Sequence, residues 1–205
     1  MLVTAYRSAA YRTPVRDTPS TREGRFHNRT SPPTQYFSLH PLGPSAEEIR
    51  WDAGLTRAEE LRDLKLRIWA IRVLVPDDIL TLDYDNCDAD AGVSPEELVG
   101  EDYGPTQASA DRFRGRGRET FICPSAALPG TQSLVILAER VAIRYLDTPT
   151  DEWEVSASMA TSRGAPPASL FPRVRRQGEP HPELDAFLRG NTFQFQEPSW
   201  VSEAP

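Results

Sequence analysis

The sequence predicts an α+β fold. Short apolar segments typical of strands and short segments typical of helices follow one another without the regular β-α-β alternation of a doubly wound sheet. Nineteen prolines and twelve glycines among 205 residues indicate many loops, where binding sites are commonly built. We expect one domain over residues 1–156. From residue 157 the composition shifts to Ser, Pro, Arg and Gly, which predicts a Pro-rich C-terminal extension over residues 157–205 that could pack on the domain.

Strands are predicted where apolar or β-branched residues alternate or run together. These segments are residues 2–6, 35–39, 67–75, 79–82, 120–123, 133–138 and 140–146. Between the first two strands, residues 13–34 are rich in Pro, Thr, Ser and Arg and show no sustained period, which predicts a long loop. Long loops in compact domains are often functional.

Helices are predicted at residues 45–51, 56–66, 106–113 and 181–188, and a further helix is predicted to start at residue 94. Ser45 starts the first helix and is followed by Glu47 and Glu48, so the acidic residues lie in the first turn, where the helix dipole favours them. At residue 94, a Ser-Pro-Glu-Glu sequence provides an N-cap, a first-turn proline and an acidic first turn.

Charge and cysteine usage exclude several classes of protein. A formal net charge of −7 argues against a general attraction to DNA or to membranes. Cys87 and Cys123 form no C-x-x-C pattern, and His27, His40 and His181 have no metal-ligand spacing. We therefore expect no metal site, and we interpret each histidine as a loop or surface residue. No segment has the length of a membrane span or the apolar core of a signal peptide, so a cytoplasmic protein is expected.

Common nucleotide-binding and hydrolase motifs are missing. No G-x-G-x-x-G opens a helix after a strand, no phosphate-binding G-x-x-x-x-G-K-[ST] loop occurs, and no G-x-S-x-G elbow occurs. The arginine- and glycine-rich residues 112–118 could bind nucleic acid phosphates. A solvated turn between the helix at 106–113 and the strand at 120 is the favoured interpretation, and no direct nucleic-acid partner is expected.

One series of short motifs does fit a known pattern. It consists of Tyr6-Arg7, Gly24-Arg25-Phe26-His27, Pro33-Thr34-Gln35-Tyr36-Phe37-Ser38, Pro44-Ser45-Ala46-Glu47 and Cys123-Pro124-Ser125-Ala126. In order and spacing this series resembles the RES-domain family, which is named for its arginine, glutamate and serine. In that family an aromatic-Arg pair precedes G-R-[WF]-[NH], a Y-[LF]-[SA] strand, an A-x-x-E or A-E helix start and a P-S-A segment. The resemblance covers roughly residues 1–145.

The resemblance implies a fold similar to that of ADP-ribosyltransferases. It also implies a toxin of a toxin–antitoxin pair that degrades NAD⁺ by hydrolysis or phosphorolysis, and an antitoxin that covers the active site. By position, Arg7, Tyr36, Glu47 and Ser125 match the functional residues of the family, and Arg25 matches its G-R motif.

Two of these assignments have a neighbouring alternative. Tyr11-Arg12 is a second aromatic-Arg pair, but the gap to Arg25 fits Arg7 better. Glu48 stands beside Glu47, but the spacing from Tyr36 favours Glu47.

The residue types suit cleavage of the nicotinamide–ribose bond. Nicotinamide leaves as a neutral molecule, so positive charge builds on the ribose, and the Glu47 carboxylate could stabilise that charge. Arg7 and Arg25 could hold the pyrophosphate by charge-assisted hydrogen bonds. Tyr36 could stack on nicotinamide or bond a ribose hydroxyl, and Ser125 could bond the carboxamide or the ribose. No cofactor is needed beyond NAD⁺ as substrate, with phosphate as co-substrate in a phosphorylase.

Structural interpretations stand beside these functional ones. Arg7 could pair with a surface acid, Tyr36 could be a core residue with a bonded hydroxyl, and Ser125 could be a turn residue. The helix dipole alone could explain Glu47.

Three functions follow as hypotheses. The first is an NAD⁺ glycohydrolase or phosphorylase acting as a toxin, the second is an ADP-ribosyltransferase that modifies a macromolecule, and the third is a non-catalytic nucleotide-binding module. We expect NAD⁺ and an antitoxin as partners, with the chain present as a homo-oligomer or in a toxin–antitoxin complex.

Overall fold

The computed structural model describes residues 1–9, 22–32, 34–137 and 158–198, and a seven-stranded sheet forms its centre. The strands are β1 (Leu2–Ser8), β2 (Gln35–Ser38), β3 (Leu66–Leu74), β4 (Leu80–Thr81), β5 (Thr120–Pro124), β6 (Gln132–Ile136) and β7 (Ser158–Gly164). Their order is β4-β5-β6-β2-β1-β3-β7. Only β4 and β5 are parallel, and the other neighbouring strands are antiparallel.

The described helices are short and lie between the strands or after them. They are α1 (Gly43–Trp51), α2 (Cys87–Ala91), α3 (Pro95–Val99), α4 (Gly104–Gly115) and α5 (Pro182–Leu188), with 3-10 helices at Ala58–Asp63 and Ala168–Arg173. This mixture confirms the predicted α+β class. Among the residues that the structure describes, no helix has the length and apolar character needed to cross a membrane.

Side chains alternate between two faces of the sheet, and each face carries its own core. On one face, which we name the Tyr36 face, Phe121, Cys123 and Val135 pack with Phe26 and with Tyr36. The opposite face is named the Phe37 face, and its buried residues include Ala5, Phe37, Ile71, Ile122 and Leu134. Any strand residue can therefore be assigned to a face by the parity of its position.

A third core lies between α1 and the C-terminal segment. Ala46 and Ile49 of α1 pack with Leu61, Leu128 and Leu170. Residues after 157 also add β7 to the sheet beside β3, and Leu184 of α5 joins the core of the Tyr36 face. The C-terminal segment thus packs on the rest of the chain, while the division at residue 156 stays a prediction.

Several sequence-based assignments need correction. Residues 56–66 do not form an α-helix; only Ala58–Asp63 within them are helical, as a 3-10 helix, and the Glu60 carboxylate accepts the N–H groups of Thr56 and Arg57 at its start. Helix α2 and strand β7 were not predicted. The strand predicted at residues 140–146 lies outside the described residues.

The N-terminus of α3 follows the prediction closely. Ser94 Oγ accepts the N–H of Glu97 at 3.2 Å, and the Glu97 carboxylate accepts the N–H of Ser94 at 2.8 Å. These reciprocal bonds satisfy two backbone donors that a helix start otherwise leaves free.

His181 joins α5 to the turn after β5. Its Nδ1 accepts the N–H of Leu184 at 3.3 Å, which caps α5, and its Nε2 donates to the carbonyl of Ser125 at 3.1 Å. Burial lowers the pKa of His181 to about 4. The buried ring is therefore neutral at pH 7, and of the two positions expected for it, a loop or the surface, the surface is wrong, because His181 precedes α5 as a buried N-cap.

We expect the folded state to lose stability as the pH falls from about 6.5 to about 4. In that window the unfolded chain protonates His181 and the folded chain does not, because protonation would convert the Nδ1 acceptor into a donor. At pH 5 the free energy of unfolding should be lower than at pH 7 by about 2 kcal/mol from this residue alone. Urea unfolding at both pH values checks this, with His181→Asn as the control that keeps a capping oxygen but does not titrate. An equal loss in both proteins would contradict the assignment.

Candidate functional site

The Gly24–His27 turn forms one wall of the site. The N–H of Gly24 donates to the carbonyl of His27 at 2.9 Å, and the N–H of His27 returns a bond at 3.2 Å. A Cβ at Gly24 would stand 2.5 Å from the His27 ring, so this position requires glycine. Helix α4 holds the turn, since Thr106 Oγ1 donates to the carbonyl of Arg25 and Gln107 Nε2 donates to those of Gly24 and His27.

The guanidinium of Arg25 is fixed on one side and available on the other. Nη1 donates to the carbonyls of Leu98 at 3.2 Å and Gly100 at 2.8 Å, where α3 ends, and the guanidinium lies 5.0 Å from the centre of the Tyr103 ring. Within the described residues, no hydrogen bond involves Nε or Nη2. A half-buried, pre-oriented cation of this kind suits the binding of an anionic group.

The hydroxyl of Tyr36 is already committed to bonds within the protein. It accepts the N–H of Phe26 at 2.9 Å and lies 2.8 Å from Nδ1 of His27. Because Nε2 of His27 faces the carbonyl of Arg22 at 3.0 Å, Nε2 carries the proton and Tyr36 donates to Nδ1. Burial raises the pKa of Tyr36, which keeps the hydroxyl protonated. The structural interpretation of Tyr36 therefore fits better than a bond to ribose.

Glu47 presents a carboxylate to solvent from α1. The helix begins at Gly43, two residues before the predicted start, so Glu47 lies beyond the first turn and the helix dipole does not explain it. The side chain is exposed. Nearby protein atoms nevertheless exclude part of the water around its carboxyl group, and this desolvation raises the pKa of Glu47. The positive charges of Arg50 and Arg25 oppose this increase in the pKa. Glu47 is thus a carboxylate flanked by two cations.

A buried cluster of charges lies behind Glu47. Arg50 is 3% exposed, and it donates to the carbonyls of Ala126 at 3.1 Å and Arg175 at 2.9 Å. The Glu101 carboxylate pairs with Arg50 at 2.5 Å and with Arg175 at 3.2 Å. This Arg50–Glu101–Arg175 cluster joins α1 to the loop after α3 and to the C-terminal segment.

Ser125 shapes the turn after β5. It is buried, its Oγ accepts the N–H of Leu128 at 3.1 Å, and its N–H donates to the carbonyl of Thr131 at 2.9 Å. Two residues earlier, Cys123 lies on the Tyr36 face, where burial raises the pKa of its thiol to about 12. Arg25 lowers the pKa of Cys123 and Glu47 raises it. The neutral thiol therefore lies near these two groups.

Arg7 lies apart from the other motif residues. In β1 it pairs with Trp69 and shares a face with Ala5, which is the Phe37 face. Nη1 of Arg7 donates to Gln35 Oε1 at 2.5 Å, and its guanidinium lies 5.5 Å from the centre of the Phe37 ring. The expected pairing of Arg7 with Arg25 on one pyrophosphate is therefore not what the structure shows, because a sheet separates the two side chains. The alternative, Arg12, lies outside the described residues.

The structure brings Arg25, Tyr36 and Glu47 to one side of the sheet, with Ser125 in the turn beneath. Sequence patterns missed the roles of His27, Arg50, Glu101 and Tyr103 in this region. Only His27 had a signal, as it directly follows Gly24-Arg25-Phe26.

The arginine run at 112–118 is partly structural, since Arg112 donates to the carbonyl of Ala91 and Arg114 to that of Phe26. In the described ranges, no three His, Cys, Asp or Glu side chains are grouped to hold a metal ion.

Comparison with known proteins gives consistent results. The family model described as RES domain matches residues 4–158. A Mycobacterium tuberculosis protein named "Probable NAD(+) phosphorylase" is 27% identical over 175 residues, which cover 83% of this chain and 74% of that protein.

Among solved structures, the crystal structure of the M. tuberculosis MbcT–MbcA toxin–antitoxin complex contains a chain with a similar fold. The TM-score is 0.58 at 18% sequence identity, and the match covers 85% of this chain and 90% of the other. At 18% sequence identity, this structural similarity shows that the two chains share a fold.

We expect Tyr36→Phe to lower stability, because it leaves the N–H of Phe26 and Nδ1 of His27 without their partner. The expected loss in the free energy of unfolding is about 2 kcal/mol, measured by urea denaturation. Tyr103→Phe is the control, since no described hydrogen bond involves the Tyr103 hydroxyl, and it should change stability by less than about 0.5 kcal/mol. Equal stability of Tyr36→Phe and the unsubstituted protein would show that the hydroxyl is free.

Proposed function

The chain belongs to the RES-domain family, and from this membership and the site we propose that it cleaves NAD⁺ at the nicotinamide–ribose bond as a toxin of a toxin–antitoxin pair. The observation that carries the proposal is Glu47, an exposed residue whose carboxylate is stabilised by the positive charges of Arg50 and Arg25. The relative named as a phosphorylase supports the choice of substrate. The similarity to a chain of a toxin–antitoxin complex supports the choice of biological role.

Arg25 is the proposed contact for the pyrophosphate. Its Nη1 is occupied by two carbonyls, so the guanidinium is held in place, and no hydrogen bond among the described residues involves Nε or Nη2. A fork of two N–H donors matches two phosphate oxygens. Since the backbone of Arg25 is also held by Thr106, little conformational entropy is lost when the anion binds.

Glu47 is the proposed catalytic residue. When the bond between ribose C1′ and the pyridinium nitrogen breaks, its electron pair stays on nitrogen, so nicotinamide leaves neutral and C1′ becomes cationic. A carboxylate beside C1′ binds this cation more strongly than it binds the substrate ribose, which lowers the barrier. The acceptor then adds to C1′ through oxygen. The name of the relative favours inorganic phosphate as the acceptor, with water as the alternative.

The other motif residues have supporting roles in this proposal. Tyr36 fixes the Gly24–His27 turn through its hydroxyl, and Ser125 fixes the turn after β5. Arg7 ties β1 to β2 through Gln35. These roles explain why a motif can include residues that do not contact the dinucleotide.

We expect Glu47→Gln to release nicotinamide from NAD⁺ at least about a hundredfold more slowly, because it removes one key electrostatic group. Its thermal midpoint at pH 7 should not fall, since the surrounding protein disfavours the ionised form that the substitution removes. Glu48→Gln is the matched control and should keep full activity. Nicotinamide release is followed by chromatography with and without phosphate, and growth arrest on induced expression should require Glu47.

Other outcomes of this assay separate the alternatives. Label from NAD⁺ that becomes attached to a macromolecule would indicate ADP-ribosyl transfer. Binding of NAD⁺ without nicotinamide release by the unsubstituted protein would indicate a non-catalytic module. Full activity of Glu47→Gln would remove Glu47 from the mechanism.

The acid limb of kcat/KM should lie at a higher pH than an ordinary glutamate would give. The ionised carboxylate is the active form, and desolvation by the surrounding protein atoms raises the pKa of Glu47 above its usual 4.5. Activity is therefore present above the raised pKa and is lost as the pH falls through it. In Arg25→Gln the limb should move to still higher pH, because a charge that favours the carboxylate is gone. A pH profile with no acid limb above 4.5 would contradict this assignment.

A further inference from the structure

Trp51 is an exposed aromatic residue beside the candidate catalytic glutamate. It is the last residue of α1 and is 50% exposed, although tryptophan is usually well buried in soluble proteins. The guanidinium of Arg50 lies 5.8 Å from the centre of the Trp51 ring. Arg50 thus packs against the indole, and a large part of the ring surface remains open to solvent.

The support behind Trp51 is rigid. Arg50 is held by the carbonyls of Ala126 and Arg175 and by the Glu101 carboxylate, and its side chain is almost completely buried. The indole therefore packs on a cation that does not move, and two carboxylates, those of Glu101 and Glu47, offset the charges of Arg50 and Arg175. A second cation could then approach the open part of the ring without facing an uncompensated positive charge.

Trp51 also lies next to the Glu47 carboxylate. The two residues are four apart on α1, a spacing that places side chains on the same helix face. The side chain of Trp51 lies close enough to the Glu47 carboxyl group to act on its pKa, which it lowers. If Glu47 stands at C1′ of the ribose, the ring closest to Trp51 is the one bonded to C1′, which is nicotinamide.

We propose that Trp51 binds the nicotinamide ring of NAD⁺ by stacking, and that it distinguishes the positively charged ring of NAD⁺ from the neutral ring of NADH. This inference rests on the proposed function, since Glu47 sets the position of the ribose. Tyr36 is unsuited to the task because Phe26 stacks on its ring and both hydroxyl bonds are internal. An indole face attracts a cation more than it attracts a neutral ring.

The charge of the ring also gives Trp51 a kinetic role. The cation–π attraction is present in bound NAD⁺ and fades as the ring becomes neutral during cleavage. Trp51 therefore contributes to substrate binding more than to the transition state, and the weakened contact favours release of nicotinamide. Loss of the indole should raise KM without lowering kcat, because the lost contact is weaker in the transition state than in the bound substrate.

The test measures binding separately from turnover. In the Glu47→Gln protein, which should not turn NAD⁺ over, calorimetry gives the affinity for NAD⁺ and for NADH. Adding Trp51→Leu should weaken NAD⁺ binding about tenfold, the scale of one lost aromatic stack, and should weaken NADH binding less. Trp51→Phe should restore most of the loss. Leu74→Ala, which removes exposed apolar surface at the far end of β3, is the control and should change neither affinity.

The outcomes separate this inference from the proposed function. If Trp51→Leu leaves NAD⁺ affinity unchanged, or weakens NAD⁺ and NADH equally, the inference is overturned whether or not the protein cleaves NAD⁺. If the indole-dependent preference for NAD⁺ is present but the unsubstituted protein releases no nicotinamide, only the proposed function fails. If the Glu47→Gln protein binds no NAD⁺ and the unsubstituted protein releases no nicotinamide, both fail.

Discussion

One carboxylate shared by two buried guanidinium groups determines the geometry of the site. Glu101 pairs with Arg50 and with Arg175, and the carbonyl of the preceding residue, Gly100, accepts from Arg25. The segment from Leu98 to Glu101 therefore holds both cations that flank Glu47. Loss of one member of a buried ionic cluster leaves an uncompensated charge and typically costs 3–5 kcal/mol. The cluster also explains why α1 cannot shift independently of the loop after α3.

The motif residues divide into those that face the ligand and those that support them. Arg25 and Glu47 have charged groups available to a ligand, whereas Tyr36 and Ser125 use their hydroxyls within the protein. Arg7 lies on the opposite face of the sheet. Such a division is expected when reactivity depends on a carboxylate held in place, because positioning a group within a fraction of an ångström needs many internal bonds.

Local sequence signals predicted much of the fold. Strand patterns located β1, β2, β3, β5 and β6, and the Ser94 capping box located α3. The motif series identified Arg25 and Glu47, which lie on one side of the sheet. What local signals could not show were pairings between distant residues: the partners of Glu101 are 51 and 74 positions away (Arg50 and Arg175), and no periodicity encodes such contacts. Strand β7 was missed for the same reason. Its pairing with β3 determines that it is a strand, and its amino-acid composition does so much less.

The family model ends at residue 158, but the contacts that hold the sheet and the site together continue beyond it. A chain shortened to the matched region would lose β7 and expose the backbone donors and acceptors of β3, an edge at which sheets of separate molecules can join. It would also lose the second guanidinium bound to Glu101 and the imidazole bound to the carbonyl of Ser125. The end of the family model therefore does not coincide with the end of the stabilising contacts, since residues after 158 bind side chains and backbone groups on which the motif residues are built.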